Sequence, residues 1–323
     1  MKNMKKILVF GAGVLGSLYA ARLKQSGNDV TILARGKRFK EISENGIELE
    51  DALCAKKDNV QLTVVSELKP EDVYDWIVVL VRKNQVADVL PVLSSNQKTS
   101  NILFMVNNPS GYDEWLSAVG RKRLTIGFAG AGGQKNGSVV RYKIALGFLQ
   151  PTTFGELDGS KTSRLRELVD IFKSAGFPTD VSSNMDAWQK SHVAWVSPLS
   201  NAIYKMNGDN LKLARSTETL RLFIKAVKEG FQCLRSVGIP IEPRKISMIE
   251  WIPEFLLIVF LKILIQTNYF KTLIVEHAMI ASDEMWQIAD EFRIFIEAHS
   301  FKTPAIDELR SYIPNTGEER GRL

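Results

Sequence analysis

The chain has 323 residues, 45% hydrophobic and 24% charged, enough for two soluble domains and unlike a disordered or fibrous protein. Its net charge of +6 is spread over short clusters (Lys2/Lys5/Lys6, Arg35/Lys37/Arg38/Lys40 and Arg121/Lys122/Arg123), so no nucleic-acid partner is expected, while a small anionic ligand suits the field. The 2 cysteines, Cys54 and Cys233, and the 3 histidines, His192, His277 and His299, lack ligand spacing, which argues against a disulfide scaffold and a metal site.

Lys6–Phe10 (KILVF) is a short apolar run bounded by glycine, as in a buried parallel strand. Val14–Gln25 carries apolar residues at helical spacing, and Asp29–Leu33 (DVTIL) is a second strand rich in β-branched residues. Trp76–Val81, Asn101–Val106 and Leu124–Ala129 read as further buried strands. Strands alternating with helices predict a doubly wound parallel sheet. Gly130–Glu156 reads as hairpins that extend this sheet antiparallel, Ser163–Ala175 as a helix, and Phe177–Val181 as a last strand.

After Asn184 the pattern turns helical. Met185–Lys205, Thr217–Val237, Ser247–Ile265 and Ile274–His299 are the predicted helices, punctuated by Gly238-Ile239-Pro240 and Thr303-Pro304. The expected class is therefore α/β followed by an all-α domain. Residues 1–183 form the dinucleotide-binding domain, 184–314 a helical domain for substrate and dimerisation, and 315–323 a flexible polar tail. The stretch Trp251–Ile265 (WIPEFLLIVFLKILI) is shorter than the roughly 20 residues of a membrane span, and Glu254 and Lys262 interrupt it. A buried helix is expected there; a membrane-surface contact and an oligomer face are the alternatives. The apolar start of the chain runs straight into a glycine motif, unlike a signal peptide, so the expected location is the cytoplasm.

That motif, Gly11-Ala12-Gly13-Val14-Leu15-Gly16, matches G-x-G-x-x-G between a predicted strand and a predicted helix, the context of a Rossmann dinucleotide site. Gly11 permits the tight turn, Gly13 admits the pyrophosphate, and Gly16 lets the helix pack on the sheet. The helix start at Val14 and Leu15 offers unpaired N–H groups to phosphate. At the end of the second strand, where a carboxylate would bind the ribose 2′-hydroxyl of NAD, stand Ala34 and Arg35, followed by Lys37 and Arg38. A guanidinium binds a 2′-phosphate bidentately, so NADPH is the expected cofactor.

The segments KILVFGAGVLGSLYAARL, VTILARGKR, VLVRKNQV, MVNNPSG and WQKSHVAWVSPLSNA resemble the ketopantoate reductase (2-dehydropantoate 2-reductase) family over roughly the first 200 residues. The resemblance implies a Rossmann domain followed by a helical domain, and NADPH-dependent reduction of a 2-oxo acid carbonyl, with pantothenate biosynthesis as its setting. It implies that Lys190 is the general acid. It also implies that Asn107, or Asn108 if the register is shifted by one, sits near the nicotinamide and substrate. Arg82 stands where the family has a lysine, three residues before Gln85.

The family's two asparagines after the lysine are missing: Ala194 replaces the first and Ser197-Pro198 the second. Lys190, Ala194, Ser197 and Asn201 fall on one helical face, so Ser197 and Asn201 are the remaining substrate candidates there. For the family's late carboxylate, the stretch from Glu276-His277 to Asp283-Glu284 offers candidates, of which Glu284 is taken. Loss of hydrogen-bond partners favours a changed substrate among small carbonyl compounds. Two alternatives stand beside it: an NADPH-binding regulatory protein without turnover, from the loss of both asparagines, and a reductase of a more apolar substrate, from the apolar stretch Trp251–Ile265.

Overall fold

The structure is a computed structural model that describes residues 4–314; the tail expected at 315–323 lies outside the described residues. The chain divides into two units, one of Met1–Val106 with Tyr112–Met185, the other of Asn107–Gly111 with Asp186–Leu323.

In the first unit the elements follow in the order β1 (Lys6–Phe10), α1 (Val14–Gln25), β2 (Asp29–Leu33), α2 (Gly36–Asn45), β3 (Ile47–Asp51), β4 (Lys57–Val60), β5 (Thr63–Val65) and β6 (Trp76–Val79). Then come α3 (Val86–Ser95), β7 (Ile102–Met105), α4 (Asp113–Val119), β8 (Leu124–Phe128), β9 (Ala131–Asn136), β10 (Val139–Ile144), β11 (Thr152–Gly155), α5 (Ser163–Ser174) and β12 (Thr179–Val181). The main sheet has the order β12-β11-β8-β7-β6-β1-β2-β5. From β5 to β8 all neighbours are parallel, with Val9 opposite Ile32 on one side and Val78 on the other. The run of chain reverses between β1 and β6, a switch point of the kind that holds ligands at the strands' carboxyl ends.

Ile7, Leu8 and Val9 are all buried, as expected of a strand covered on both faces. Beneath α1 the core gathers Leu18, Tyr19, Val30, Ile32, Phe154 and Phe172. Only β11 extends the main sheet antiparallel, on β8. The hairpin β9–β10 instead joins β3 and β4 in a separate sheet of order β4-β3-β10-β9. Cross-strand ion pairs specify that partner: Lys143 with Asp51 at 3.2 Å and Arg141 with Glu50 at 3.8 Å. Pro178 holds the start of the last strand back to Thr179, its carbonyl accepting from the Thr152 N–H at 2.8 Å.

The second unit holds α6 (Met185–Lys205), entered at Asp186, then α7 (Asn210–Arg215), α8 (Thr217–Ser236) and α9 (Glu254–Ile265). It continues through α10 (Asn268–Phe270), a π-helical turn (Lys271–Val275), α11 (Glu276–Ile280), α12 (Ser282–Ala298) and α13 (Pro304–Arg310). Two predicted helices are broken. Ser247–Ile265 splits because Pro253 caps α9 and excludes the residues before it, leaving a 3₁₀ segment at Arg244–Glu250. Ile274–His299 splits at Ala281, whose φ of −107° and ψ of 36° interrupt the helix. The core joins Val193, Ala194, Phe223, Val227, Phe231, Ile265, Ile288 and Phe292. The expectation of a buried 251–265 helix is half met. Leu257, Ile258, Leu261 and Ile265 are buried, whereas Phe255, Leu256, Val259, Phe260 and Ile263 are exposed. No single helix among the described residues is long and apolar enough to cross a membrane.

Candidate active site

In the first unit the glycine loop connects β1 to α1. Gly11 has φ +113°, and a Cβ there would stand 2.5 Å from the Leu80 carbonyl oxygen on the neighbouring β6 segment. A Cβ on Gly16 would stand 1.9 Å from the Gly11 carbonyl oxygen, so α1 reaches the loop only because this residue has no side chain. Gly13 differs from both: a Cβ there would meet nothing within 4 Å. Packing therefore explains Gly11 and Gly16 but leaves Gly13 unexplained, and the open space above it is what a pyrophosphate requires. Gly13 caps α1, no side chain caps the helix, and its first turn has no acidic residue. The N–H groups at Val14 and Leu15 and the positive end of the helix dipole are thus available to an anion.

The two arginines after β2 have different surroundings. Arg38 donates Nε to the Ala12 carbonyl at 3.3 Å, one terminal nitrogen to Glu41 at 3.1 Å and the Ser138 carbonyl at 3.3 Å, and the other to the Ser17 hydroxyl at 3.0 Å. Most of its donors are spent on holding α2 and the glycine loop together. Hydrogen bonds from Arg38 and then Lys135 hold the Glu41 carboxyl below the usual carboxylate range. Arg35, at the cap of α2, is exposed. Arg82, half-buried, follows β6 and starts the turn closed by its N–H on the Gln85 side chain at 3.1 Å.

The second unit contains the remaining candidates. Asn107 donates Nδ2 to Oε1 of the buried Glu284 at 3.3 Å, across 177 positions of sequence. Its own Oδ1 is buried without a hydrogen-bond partner. Asn108 closes the local turn, donating to the Gly111 carbonyl at 2.5 Å and accepting from the Ser110 N–H at 3.3 Å. That turn role for Asn108 favours Asn107 as the ligand-facing residue. Ser110 donates to Glu291 at 2.5 Å, which adds a second tie between this segment and α12.

Lys190 is buried on α6 and its ammonium is paired with Asp186 one turn earlier. Ser197 and Asn201 are buried further along the helix, and Asn201 Oδ1 has no hydrogen-bond partner. Ala194 lies against α8: a Cβ on Gly230 would stand 3.0 Å from the Ala194 Cβ. The position of the missing asparagine is thus a close helix crossing, with no space for a carboxamide. His192 stacks on Trp188 with ring centroids 5.3 Å apart, and burial, with a smaller effect of His277, pushes it down to about 3. It is a neutral ring at physiological pH. Asp186 was missed from the sequence although it stands at helical i,i+4 spacing from Lys190. The Ser110–Glu291 tie spans 181 positions and left no sequence signal.

Residues 7–159 match the family model described as Ketopantoate reductase PanE/ApbA. A curated relative, 2-dehydropantoate 2-reductase of Listeria innocua, is 25% identical over 71% of this chain and 74% of its own length. Among solved structures, 2-dehydropantoate 2-reductase from Geobacter metallireducens has a TM-score of 0.79 at 15% identity, covering 95% of this chain and 98% of its own. D-mandelate dehydrogenase, solved with NADH and anilino(oxo)acetate, has a TM-score of 0.77 at 17% identity, covering 98% and 99%. At these identities the structural likenesses speak for the fold.

Proposed function

We propose, from the match of residues 7–159 to the ketopantoate reductase model, that the protein is an NADPH-dependent reductase of a 2-oxo acid or a closely related carbonyl compound. The carrying observation is the second unit's set of groups. It holds the Asn107 carboxamide, with an unsatisfied buried oxygen, bonded to the Glu284 carboxylate, and, on α6 of the same unit, the buried Lys190 paired with Asp186. Such a set recognises and protonates a carbonyl next to a carboxylate, and it weighs against a protein that only binds cofactor.

Gly13 and the N–H groups of Val14 and Leu15 receive the pyrophosphate on a loop whose close packing Gly11 and Gly16 permit, and Arg35, exposed at the cap of α2, meets a 2′-phosphate. Arg38 acts through the loop it fixes, and Arg82 adds positive charge after β6. NADPH, when bound, supplies hydride to the carbonyl carbon. Lys190 stabilises the negative charge that develops on the carbonyl oxygen and gives it a proton. Asp186 holds the Lys190 ammonium in place until substrate arrives. Asn107 orients the ligand through its free oxygen, with its amide fixed by Glu284. Ser197 and Asn201 contribute to the substrate side. Reduction of 2-dehydropantoate itself would place the protein in pantothenate biosynthesis, in the cytoplasm.

The test is NADPH oxidation with 2-dehydropantoate and a panel of aliphatic and aryl 2-oxo acids, beside NADH and beside Lys190→Ala. Turnover with at least one 2-oxo acid, NADPH preferred, is expected. Lys190→Ala is expected to lower kcat by about 10²–10⁴-fold and leave NADPH affinity intact. An NADPH-binding protein that oxidises it with no 2-oxo acid would overturn the reading.

A further inference from the structure

Helix α9 is apolar except for Glu254 and Lys262, yet only half of its apolar surface is used by the core. Phe255, Leu256, Val259, Phe260 and Ile263 form one outward stripe, and Trp251 just before the helix continues it at 81% exposure. At the 150–250 Å² typical of an aromatic side chain, these six residues leave on the order of 800 Å² of apolar surface open. The largest apolar patch of a typical monomer is about 300–600 Å², while a standard interface covers about 800 Å² on each partner.

The charges around the stripe decide what covers it. Lys262 is turned away, its ammonium on the Thr217 hydroxyl at 2.8 Å, so the stripe from Phe255 to Ile263 carries no charge. Its N-terminal boundary is Glu254, paired with Arg221 at 3.0 Å; its C-terminal boundary is Gln266-Thr267-Asn268. The adjoining groove on α8 and α13 sets Arg221, Lys225 and Lys228 against Glu218, Glu254 and Glu308. A helix that binds anionic lipid carries a cationic flank. This one has a balanced rim and an acid at its end, which repels lipid phosphate and complements a surface like itself.

We propose that this face is a dimer interface in which α9 of one copy packs antiparallel on α9 of a second copy about a two-fold axis near Val259. An isologous contact needs a patch that is its own complement: apolar in the centre, balanced in charge at the rim. The antiparallel arrangement also sets opposite helix-dipole ends side by side.

Sedimentation velocity of the full chain over a concentration series is the test. A concentration-dependent dimer is expected. Phe260→Glu should raise its dissociation constant at least about 30-fold, as loss of a central anchor does, with far-UV dichroism and NADPH binding unchanged. A second variant is independent of any effect of the buried charge. In a Cys54→Ser background, Val259→Cys should give an oxidised species of two chains linked through residue 259. A wild-type chain that sediments as a monomer throughout, with no 259–259 link, would overturn the proposal. So would flotation with phosphatidylglycerol vesicles in place of self-association.

Discussion

Three glycines of one loop answer to different constraints, and their alanine variants separate fold from binding. Gly16→Ala puts a methyl group 1.9 Å from a backbone carbonyl, and the loop or α1 must move. A loss of at least about 1–3 kcal/mol in denaturant unfolding is expected, as for other overpacked sites. Gly13→Ala adds a methyl group to open space at an ordinary negative φ, so the melting temperature should hold while NADPH titration shows a large loss of affinity. Equal loss of stability in the two variants would remove the assignment of Gly13 to a ligand. The residues of this loop were legible because a strand, three glycines and a helix start are consecutive in sequence. Lys190 stands out only through the resemblance of Trp188-Gln189-Lys190 to the family's segment. Glu284 was one carboxylate among several, because its selection depends on a hydrogen bond to a residue 177 positions away.

At the level of elements, the α6–α8 crossing fixes what position 194 can be. Restoring asparagine there does not restore a substrate contact. Ala194→Asn is expected to destabilise the protein by about 1–3 kcal/mol through overpacking against Gly230, and by more if the amide stays unsatisfied. Chemical denaturation checks this, and a stable variant with raised turnover would show that the residue faces the ligand after all. The bounds of β1, α1 and β2 could be read directly from apolar runs and glycines. The destination of the β9–β10 hairpin could not. Alternation tells which face of a strand is buried but not which strand lies beside it, and the ion pairs of Lys143 and Arg141 reach back about 90 positions. The splitting of 247–265 was written in Pro253 and overlooked because the apolar composition runs through it.

For the molecule as a whole, His192 links stability to acid. Its ring is kept neutral in the fold, mainly by burial, with a pKa of about 3, whereas the unfolded chain has the ordinary 6.5. A base whose pKa is lowered by folding gives its full contribution above about pH 6.5 and loses it as the pH falls toward 3. At pH 5 the loss is about 2 kcal/mol. His192→Gln should flatten that part of the profile when unfolding free energies at pH 7.5 and pH 5 are compared. An unchanged slope would mean that other groups carry the acid sensitivity. The two-part organisation was visible in the switch from alternating elements to helices near residue 183. That Asn107–Gly111 packs with the helical unit was not, because a five-residue loop has no periodicity to reveal its allegiance.

The vacant space above Gly13 has a consequence for how this protein can change over generations. Serine, threonine or aspartate at a helix N-cap strengthens a helix, and nothing in the fold forbids them at this position. A lineage released from dinucleotide binding would be free to drift to one of them and gain stability on the way. Gly16 offers no such route. In descendants, position 13 would record whether the cofactor was kept, and position 16 only whether the fold was.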